Sequence, residues 1–237
     1  MMQQKIGRKL TLLFIALIFV GVMVPRANAT TINLNEWAFN VNGVIVPPNP
    51  LPGYAAVDDS FFDWVQGLGT ITITMSSGSY FGAFFDHEID QDVNTWFNEY
   101  GDTNGAPASG QSWEIDEPGW VFGDIYDNLI AGSLDNGNGV PAGSPDDVSM
   151  ALAWNFILNP GDTAEISLIL SDNIVPSGFY LSQTDPDSNQ TIYFSGDLNI
   201  IPDSTPVPEP GTLIMLGSGL VGLILIRRRL LNRRSDS

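Results

Sequence analysis

The chain has 237 residues, no cysteine and a formal net charge of −18 at pH 7. Its nine lysines and arginines lie before residue 27 or after residue 226, whereas all but two of its 27 acidic residues lie between residues 30 and 206. Such an acidic body disfavours nucleic acids, other polyanions and anionic membranes as partners, and it gains nothing from disulfide bonds.

The N-terminal segment has the pattern of a secretory signal peptide. Three basic residues precede residue 10, residues 10–24 are apolar, and Ala27 and Ala29 form a small-x-small site. This order predicts export by Sec-type machinery and cleavage by signal peptidase after Ala29, so that residues 1–29 are removed. The alternative is an N-terminal membrane helix that stays uncleaved. In either case, the body is expected outside the inner membrane.

The front half of the body is expected to form short β-strands. One or two strands are predicted in residues 31–46, followed by a loop at 47–53. Residues 70–75 alternate apolar and polar side chains, which is the period-two pattern of a half-buried strand. Residues 79–85 form a further, aromatic strand, and Gly78 is expected to mark the turn before it.

The back half continues the β pattern. Its predicted strands are 148–158, 164–170, 178–183, 191–195 and 197–201. The turn-forming sequences 159–162 and 185–189 predict two hairpins. Between the halves, residues 92–100 predict one or two helical turns and residues 101–110 a long loop. We therefore expect residues 30–205 to fold as one all-β domain, a β-sandwich or a jelly roll.

The most acidic stretch of the body suggests a site for a hard cation such as Ca²⁺. Its candidate ligands are Asp86, Glu88, Asp90, Asp92, Asn94 and Glu99. Counted from Glu88, the spacing partly follows that of an EF-hand loop, but Val93 stands where such a loop needs glycine. A calcium site of another kind is the hypothesis, and the alternative is an acidic, solvated edge or loop.

Two other polar stretches are most simply turns. Asp185, Asp187 and Asn189 have a ligand-like spacing, but Asp-Pro-Asp-Ser-Asn is also a strong turn former without any metal. Residues 135–139, with the sequence Asp-Asn-Gly-Asn-Gly, likewise predict a turn.

The body offers little support for nucleophilic catalysis, because it has no cysteine, a single histidine (His87) and no Gly-x-Ser-x-Gly elbow. Glycoside hydrolysis needs only two well-placed carboxylates. The first acids to test are Glu88, Glu99, Glu114 and Glu117. Trp113 and Trp120 stand among acids and turn residues, which makes them candidate platforms for sugar stacking; the alternative is that they belong to the core.

The C-terminal segment has three parts. The first is the extended motif Val207, Pro208, Glu209, Pro210 and Gly211, in which the prolines oppose helix formation. An apolar run that ends at Ile226 then predicts a transmembrane helix. Arg227, Arg228 and Arg229 follow as a basic cluster, which places the C-terminus in the cytoplasm by the positive-inside rule.

This tail resembles the PEP-CTERM sorting signal of Gram-negative bacteria. The resemblance rests on the Val-Pro-Glu-Pro-Gly motif, the glycine-containing helix and the arginine cluster, and it covers residues 206–231. It implies processing near the motif by a membrane protease-transpeptidase, an exosortase, in a host that makes exopolysaccharide. The alternative is an ordinary C-terminal anchor that is never cut.

Two classes of function are compatible with these features. The first is a non-catalytic component that binds or structures an exopolysaccharide or biofilm matrix, and the second is a secreted glycan-active enzyme, a hydrolase or lyase that uses paired carboxylates. In both cases the expected path is an inner-membrane intermediate followed by the cell surface or the extracellular matrix.

Overall fold

The computed structural model describes residues 30–91, 95, 97–119, 121–203 and 212–234. The predicted signal peptide with Ala27 and Ala29, and the extended motif at residues 207–211, lie outside the described residues. Within the helix at the C-terminus, side chains are described only for residues 215–225 and 227.

The described residues form eleven strands and two helices. The strands are β1 (Ile32–Val41), β2 (Val44–Val46), β3 (Ala55–Asp63), β4 (Leu68–Met75), β5 (Tyr80–Ile89), β6 (Tyr100–Asn104), β7 (Gln111–Asp116), β8 (Ser149–Asn155), β9 (Thr163–Ser171), β10 (Tyr180–Asp185) and β11 (Gln190–Ile201). The helices are α1 (Ile125–Ala131) and α2 (Thr212–Arg234).

The strands form two antiparallel sheets. The five-stranded sheet has the order β2-β1-β5-β8-β7, and the six-stranded sheet has the order β3-β4-β9-β11-β10-β6. Their inner faces share one hydrophobic core, in which Phe85 of the first sheet and Phe194 of the second pack edge to face with ring centroids 5.3 Å apart. The prediction of an all-β sandwich is confirmed.

The outer face of the five-stranded sheet is covered in part by α1. Ile125 and Leu129 of this helix are fully buried in a second apolar cluster, which includes Phe84 from β5. The helix ends at Gly132, whose φ of 70° lies in the left-handed region where glycine has no steric cost. Asn40 donates a 2.7 Å hydrogen bond to the Leu129 carbonyl, which fixes the end of the helix to β1.

Several strands were predicted with the right position but the wrong connection or extent. The turn at residues 159–162 does not close a hairpin, because β8 belongs to the five-stranded sheet and β9 to the six-stranded sheet. The hairpin around residues 185–189 is confirmed, since β10 pairs with β11. Residues 191–195 and 197–201 belong to one continuous strand, β11, and residues 101–110, predicted as a loop, begin with β6.

The C-terminal segment is helical over Thr212–Arg234, and this helix contains the arginine cluster Arg227, Arg228 and Arg229. No helix among the described residues is both long and apolar enough to cross a membrane. The helix of the prediction is thus present, and that it spans a membrane stays a prediction.

Candidate functional site

The outer face of the five-stranded sheet collects the acidic side chains of two strands. All residues of β5 are buried, and alternation along this strand sends Phe85 into the core and Asp86 and Glu88 to the outer face. On β7 the same alternation turns Ile115 inward and Glu114 outward. The acidic residues near this face fall into two groups.

The first group, which we call the strand-end cluster, consists of Asp86, Glu88, Glu99 and Asp147. All four side chains are buried in a part of the chain without lysine or arginine. Asp86 is satisfied by hydrogen bonds, because its two oxygens accept from Ser149 Oγ and Asn35 Nδ2, each at 3.0 Å.

Glu99, which directly precedes β6, extends its side chain into the strand-end cluster. Its Oε1 accepts the backbone N–H of Ile89 at 3.2 Å, and its Oε2 accepts a short hydrogen bond from Nε2 of Gln183 on β10. The same Gln183 nitrogen donates to the His87 carbonyl at 2.7 Å, so this side chain ties the two sheets together. Glu99 also forms an isolated backbone bridge with Asp146, which brings Asp147 beside it.

Two oxygens of the strand-end cluster lack hydrogen-bond partners among the described residues. They are Oε2 of Glu88 and Oδ1 of Asp147, on side chains that are 4% and 8% exposed. The register of β5 with β8 ends at the pair of Asp86 with Ser149, so Glu88 and Asp147 lie just beyond its last pair, and Glu88 repels Asp147. Like charges held close together are destabilising.

Burial dominates the electrostatics of the cluster. It raises the pKa of Glu88 to about 7, with repulsion from Asp86 as the second cause. It raises the pKa of Asp147 to about 8, with Asp86 and Glu88 adding repulsion. Burial also raises the pKa of Glu99 to about 9, although the hydrogen bonds from Gln183 and Ile89 act in the opposite direction.

A pocket opens next to the strand-end cluster. Its volume is about 330 Å³, and its lining combines acids with apolar side chains: Phe97, Glu117, Pro118, Val121, Phe122, Asp146 and Asp147. Val121 and Phe122 are 80% and 67% exposed and form an apolar rim of the pocket. Its acidic wall consists of Glu117, Asp146 and Asp147. Asp147 thus links the buried cluster to the outside.

The structure regroups the residues that were predicted as metal ligands. Asp86, Glu88 and Glu99 come together, whereas Asp90 ends β5 with a φ of 55° and accepts the Thr31 N–H at 2.6 Å. Asp92 and Asn94 lie outside the described residues. The fourth acid of the cluster is Asp147, which lies outside the acidic stretch. In the sequence, only an Asp-Asp pair immediately before an apolar strand marks this residue.

The second group, which we call the helix-side cluster, consists of Glu114, Asp124 and Asp135. Carboxylate oxygens of these three acids lie within 4.8 Å of one another. Asn128 of α1 donates to both Glu114 Oε1 and Asp124 Oδ1 at 3.0 Å, and the Asp135 N–H donates to Glu114 Oε2 at 3.0 Å. Both oxygens of the buried Glu114 are therefore satisfied. Sequence analysis missed this group, because residues 135–139 were interpreted as a turn only.

Burial is also the main reason why the pKa of Glu114 is raised to about 7, and repulsion from Asp135 and Asp124 adds to it. The hydrogen bonds from Asn128 and from the Asp135 N–H oppose the shift.

Three further candidates from the sequence lie where their contacts give them a structural role. His87 is fully buried, its Nε2 lies 3.0 Å from the Gly67 carbonyl, and burial lowers its pKa to about 4. Asp185 accepts the N–H groups of Asp187 and Ser188 at 2.9 and 3.0 Å, which confirms a turn. Trp113 is half-buried and packs against Phe179 with ring centroids 6.0 Å apart.

Trp120 lies outside the described residues. Glu117, one of the four acids proposed for glycoside hydrolysis, lies in the wall of the pocket, whereas Glu114 belongs to the helix-side cluster.

Comparison with known proteins identifies the tail. A family model described as the PEP-CTERM protein-sorting motif matches residues 206–229. No curated protein and no solved structure matches the chain. The matched motif indicates an exported, exosortase-processed protein of the cell surface. Residues 206–229 are therefore a PEP-CTERM protein-sorting motif, carried by a β-sandwich body that these comparisons leave unassigned.

Proposed function

We propose that the mature protein is a non-catalytic component of the extracellular matrix of a Gram-negative, exopolysaccharide-producing bacterium. In this proposal signal peptidase removes residues 1–29, an exosortase-like enzyme processes the tail at the inner membrane, and the β-sandwich reaches the cell surface or the matrix. The observation that carries it is the PEP-CTERM match at residues 206–229, directly after a body that has its own hydrophobic core.

Association with a neutral polysaccharide is the second part of the proposal. It is supported by the exposed rim of Val121 and Phe122, which surrounds carboxylates that can accept hydrogen bonds from sugar hydroxyls. Trp120 immediately precedes this rim in the sequence and is the first aromatic residue to test for stacking. Trp113 is less suitable, since it is half-buried against Phe179.

A glycan-active enzyme is the alternative. It is favoured by the raised pKa values of Glu88, Glu99 and Glu114, because a carboxyl group that holds its proton near neutral pH can act as a general acid. The burial of all three side chains, at 4%, 1% and 3% exposure, weighs against it, since a substrate must reach the acid.

The sorting part of the proposal is tested by replacing Pro208, Glu209 and Pro210 with alanine in the host. We expect unprocessed full-length protein to accumulate in the inner membrane, where wild-type protein is processed and leaves. Alanine at Ser235 and Asp236, beyond the matched motif, is the control and leaves processing unchanged. An identical mature C-terminus and location for both variants, measured by mass spectrometry of cell fractions, contradicts the sorting role.

The matrix part is tested by co-sedimentation of the full chain in detergent with exopolysaccharide from the host. We expect binding without the release of new reducing ends, and weaker binding when Val121 and Phe122 are both replaced by serine. Ile157→Ser, which removes an equally exposed apolar side chain elsewhere, is the matched control. Turnover of the polysaccharide would favour the enzyme, and the absence of both binding and turnover contradicts a polysaccharide partner.

A further inference from the structure

We propose that the strand-end cluster is a binding site for one hydrated divalent cation of the Ca²⁺ or Mg²⁺ type, held directly by Glu88 and Asp147. This inference concerns the β-sandwich alone and goes beyond the proposed function, because it requires neither sorting by the tail nor binding of a polysaccharide.

The first reason to place a cation here is that two buried oxygens lack hydrogen-bond partners among the described residues. Oε2 of Glu88 and Oδ1 of Asp147 belong to side chains that are more than nine-tenths buried, and no described residue donates to either atom. A buried carboxylate oxygen without a partner is costly, and native proteins rarely retain one. Residues 30–206 contain no lysine or arginine to compensate.

The end of the β5–β8 pairing brings the two proposed ligands near each other. The register ends at the pair of Asp86 with Ser149, Glu88 and Asp147 follow just beyond that pair, and Glu88 repels Asp147. Two neighbouring carboxylates repel each other, but the same arrangement is favourable when a divalent cation lies between them, because oxygen ligands from carboxylates are what Ca²⁺ and Mg²⁺ bind.

The third argument is that the neighbouring acids are held in place by other groups. Asp86 is fixed by Ser149 and Asn35, and Glu99 by Gln183 and the Ile89 N–H. Both side chains border the site and keep their own hydrogen bonds. Such outer contacts orient metal ligands and tune the affinity of the site.

The fourth argument is access. Asp147 also lines the 330 Å³ pocket, together with Asp146 and Glu117. Divalent cations in sites with only one or two protein carboxylates keep several water ligands. The pocket supplies the volume for that water and a path for the ion from solvent. It also adds two more carboxylates along the path.

We do not assign a cation to the helix-side cluster. Its three acids converge within 4.8 Å, but both oxygens of the buried Glu114 already accept hydrogen bonds. Its other two acids are exposed to solvent. This cluster is therefore the natural matched control for the strand-end cluster.

The test is calorimetric titration of the full chain in detergent, stripped with a chelator, with CaCl₂ and separately with MgCl₂ at constant ionic strength. We expect one site, with a dissociation constant of about 0.1–1 mM, as in extracellular calcium modules. Glu88→Gln and Asp147→Asn should each weaken binding by about tenfold or more, since even the loss of an outer contact has that effect. Asp135→Asn, in the helix-side cluster, should bind as wild type.

Folding of each variant is checked by its thermal transition, and Glu88→Gln and Asp147→Asn serve as independent tests if one of them fails to fold. The proposal is overturned if neither cation binds to the wild-type chain beyond a sodium control. It is equally overturned if both strand-end variants bind as wild type, or if Asp135→Asn alone abolishes binding.

Discussion

Glu88 of the strand-end cluster and Glu114 of the helix-side cluster both lie on the outer face of the five-stranded sheet, yet the carboxylates of the two clusters are accommodated differently. In the helix-side cluster, Asn128 and the Asp135 N–H donate to Glu114 and satisfy both of its oxygens. In the strand-end cluster, Glu88 and Asp147 each keep one buried oxygen without a described partner. In a body without basic side chains, buried acids can thus be stabilised in two ways. Neutral groups donate hydrogen bonds to them or, in our proposal, a cation binds them.

The largest effect is expected from Asn128→Ala. This change removes the donor shared by Glu114 and Asp124 and leaves a buried carboxylate oxygen unsatisfied, which should lower the free energy of unfolding by about 1–3 kcal/mol. Urea unfolding of the full chain in detergent measures it. Asn173→Ala, at an exposed position, is the control and should change the value by less than about 0.5 kcal/mol. Equal effects of the two substitutions would show that Asn128 does not stabilise the cluster.

An effect of opposite sign is expected from Glu88→Gln in the cation-free protein. At pH 8 the substitution removes a buried negative charge that repels Asp147, so the free energy of unfolding should rise by up to about 1 kcal/mol. Glu165→Gln on β9 is the matched control and should be neutral. Calcium should then stabilise the wild-type chain and not the Glu88→Gln variant. A loss of stability in Glu88→Gln without calcium contradicts the repulsion on which the comparison depends.

The next effect is expected in the pH dependence of stability that Glu114 causes. Its pKa is about 7 in the folded chain, above the ordinary value of 4.5, so the folded state binds the proton more tightly than the unfolded state. The contribution of Glu114 to stability should therefore fall as the pH rises from about 4.5 to about 7. Unfolding of wild type and Glu114→Gln at several pH values measures the difference, and the variant should have the flatter profile. Parallel profiles contradict the raised pKa.

The smallest effect is expected from Asp127→Asn, which removes an exposed acid from the first turn of α1. The loss of a favourable interaction with the helix dipole should lower the free energy of unfolding by at most about 1 kcal/mol. Calcium binding should not change, because this side chain faces solvent. A change in calcium affinity comparable to that of Asp147→Asn would mean that net charge, rather than the strand-end cluster, controls binding.

The strands with regular alternation were predictable from the sequence. Residues 70–75 have a clean period of two and became β4, and the second hairpin follows from a strong turn sequence. The strand β3 was missed because its middle, at Asp58, Asp59 and Ser60, is polar and contains a register shift that breaks the alternation. The short helix α1 was missed as well, since only Ile125 and Leu129 mark its buried face.

Which strands pair was only partly predictable. The turn at residues 159–162 has the residues of a hairpin, but a turn sequence does not state whether the chain returns to the same sheet or crosses to the other one. The same limit applies to the strand-end cluster. Glu88 and Glu99 share one acidic stretch, whereas Asp147 joins them through the pairing of β5 with the start of β8 and through the bridge of Glu99 with Asp146.

A crystal structure of the protein grown with calcium tests the difference between the two clusters most directly. The account predicts an anomalous calcium peak between Oε2 of Glu88 and Oδ1 of Asp147, with Asp86 and Glu99 retaining their present hydrogen bonds and water ligands in the adjacent pocket. A calcium peak in the helix-side cluster, with Asn128 displaced from Glu114, or no peak in either cluster, would contradict it.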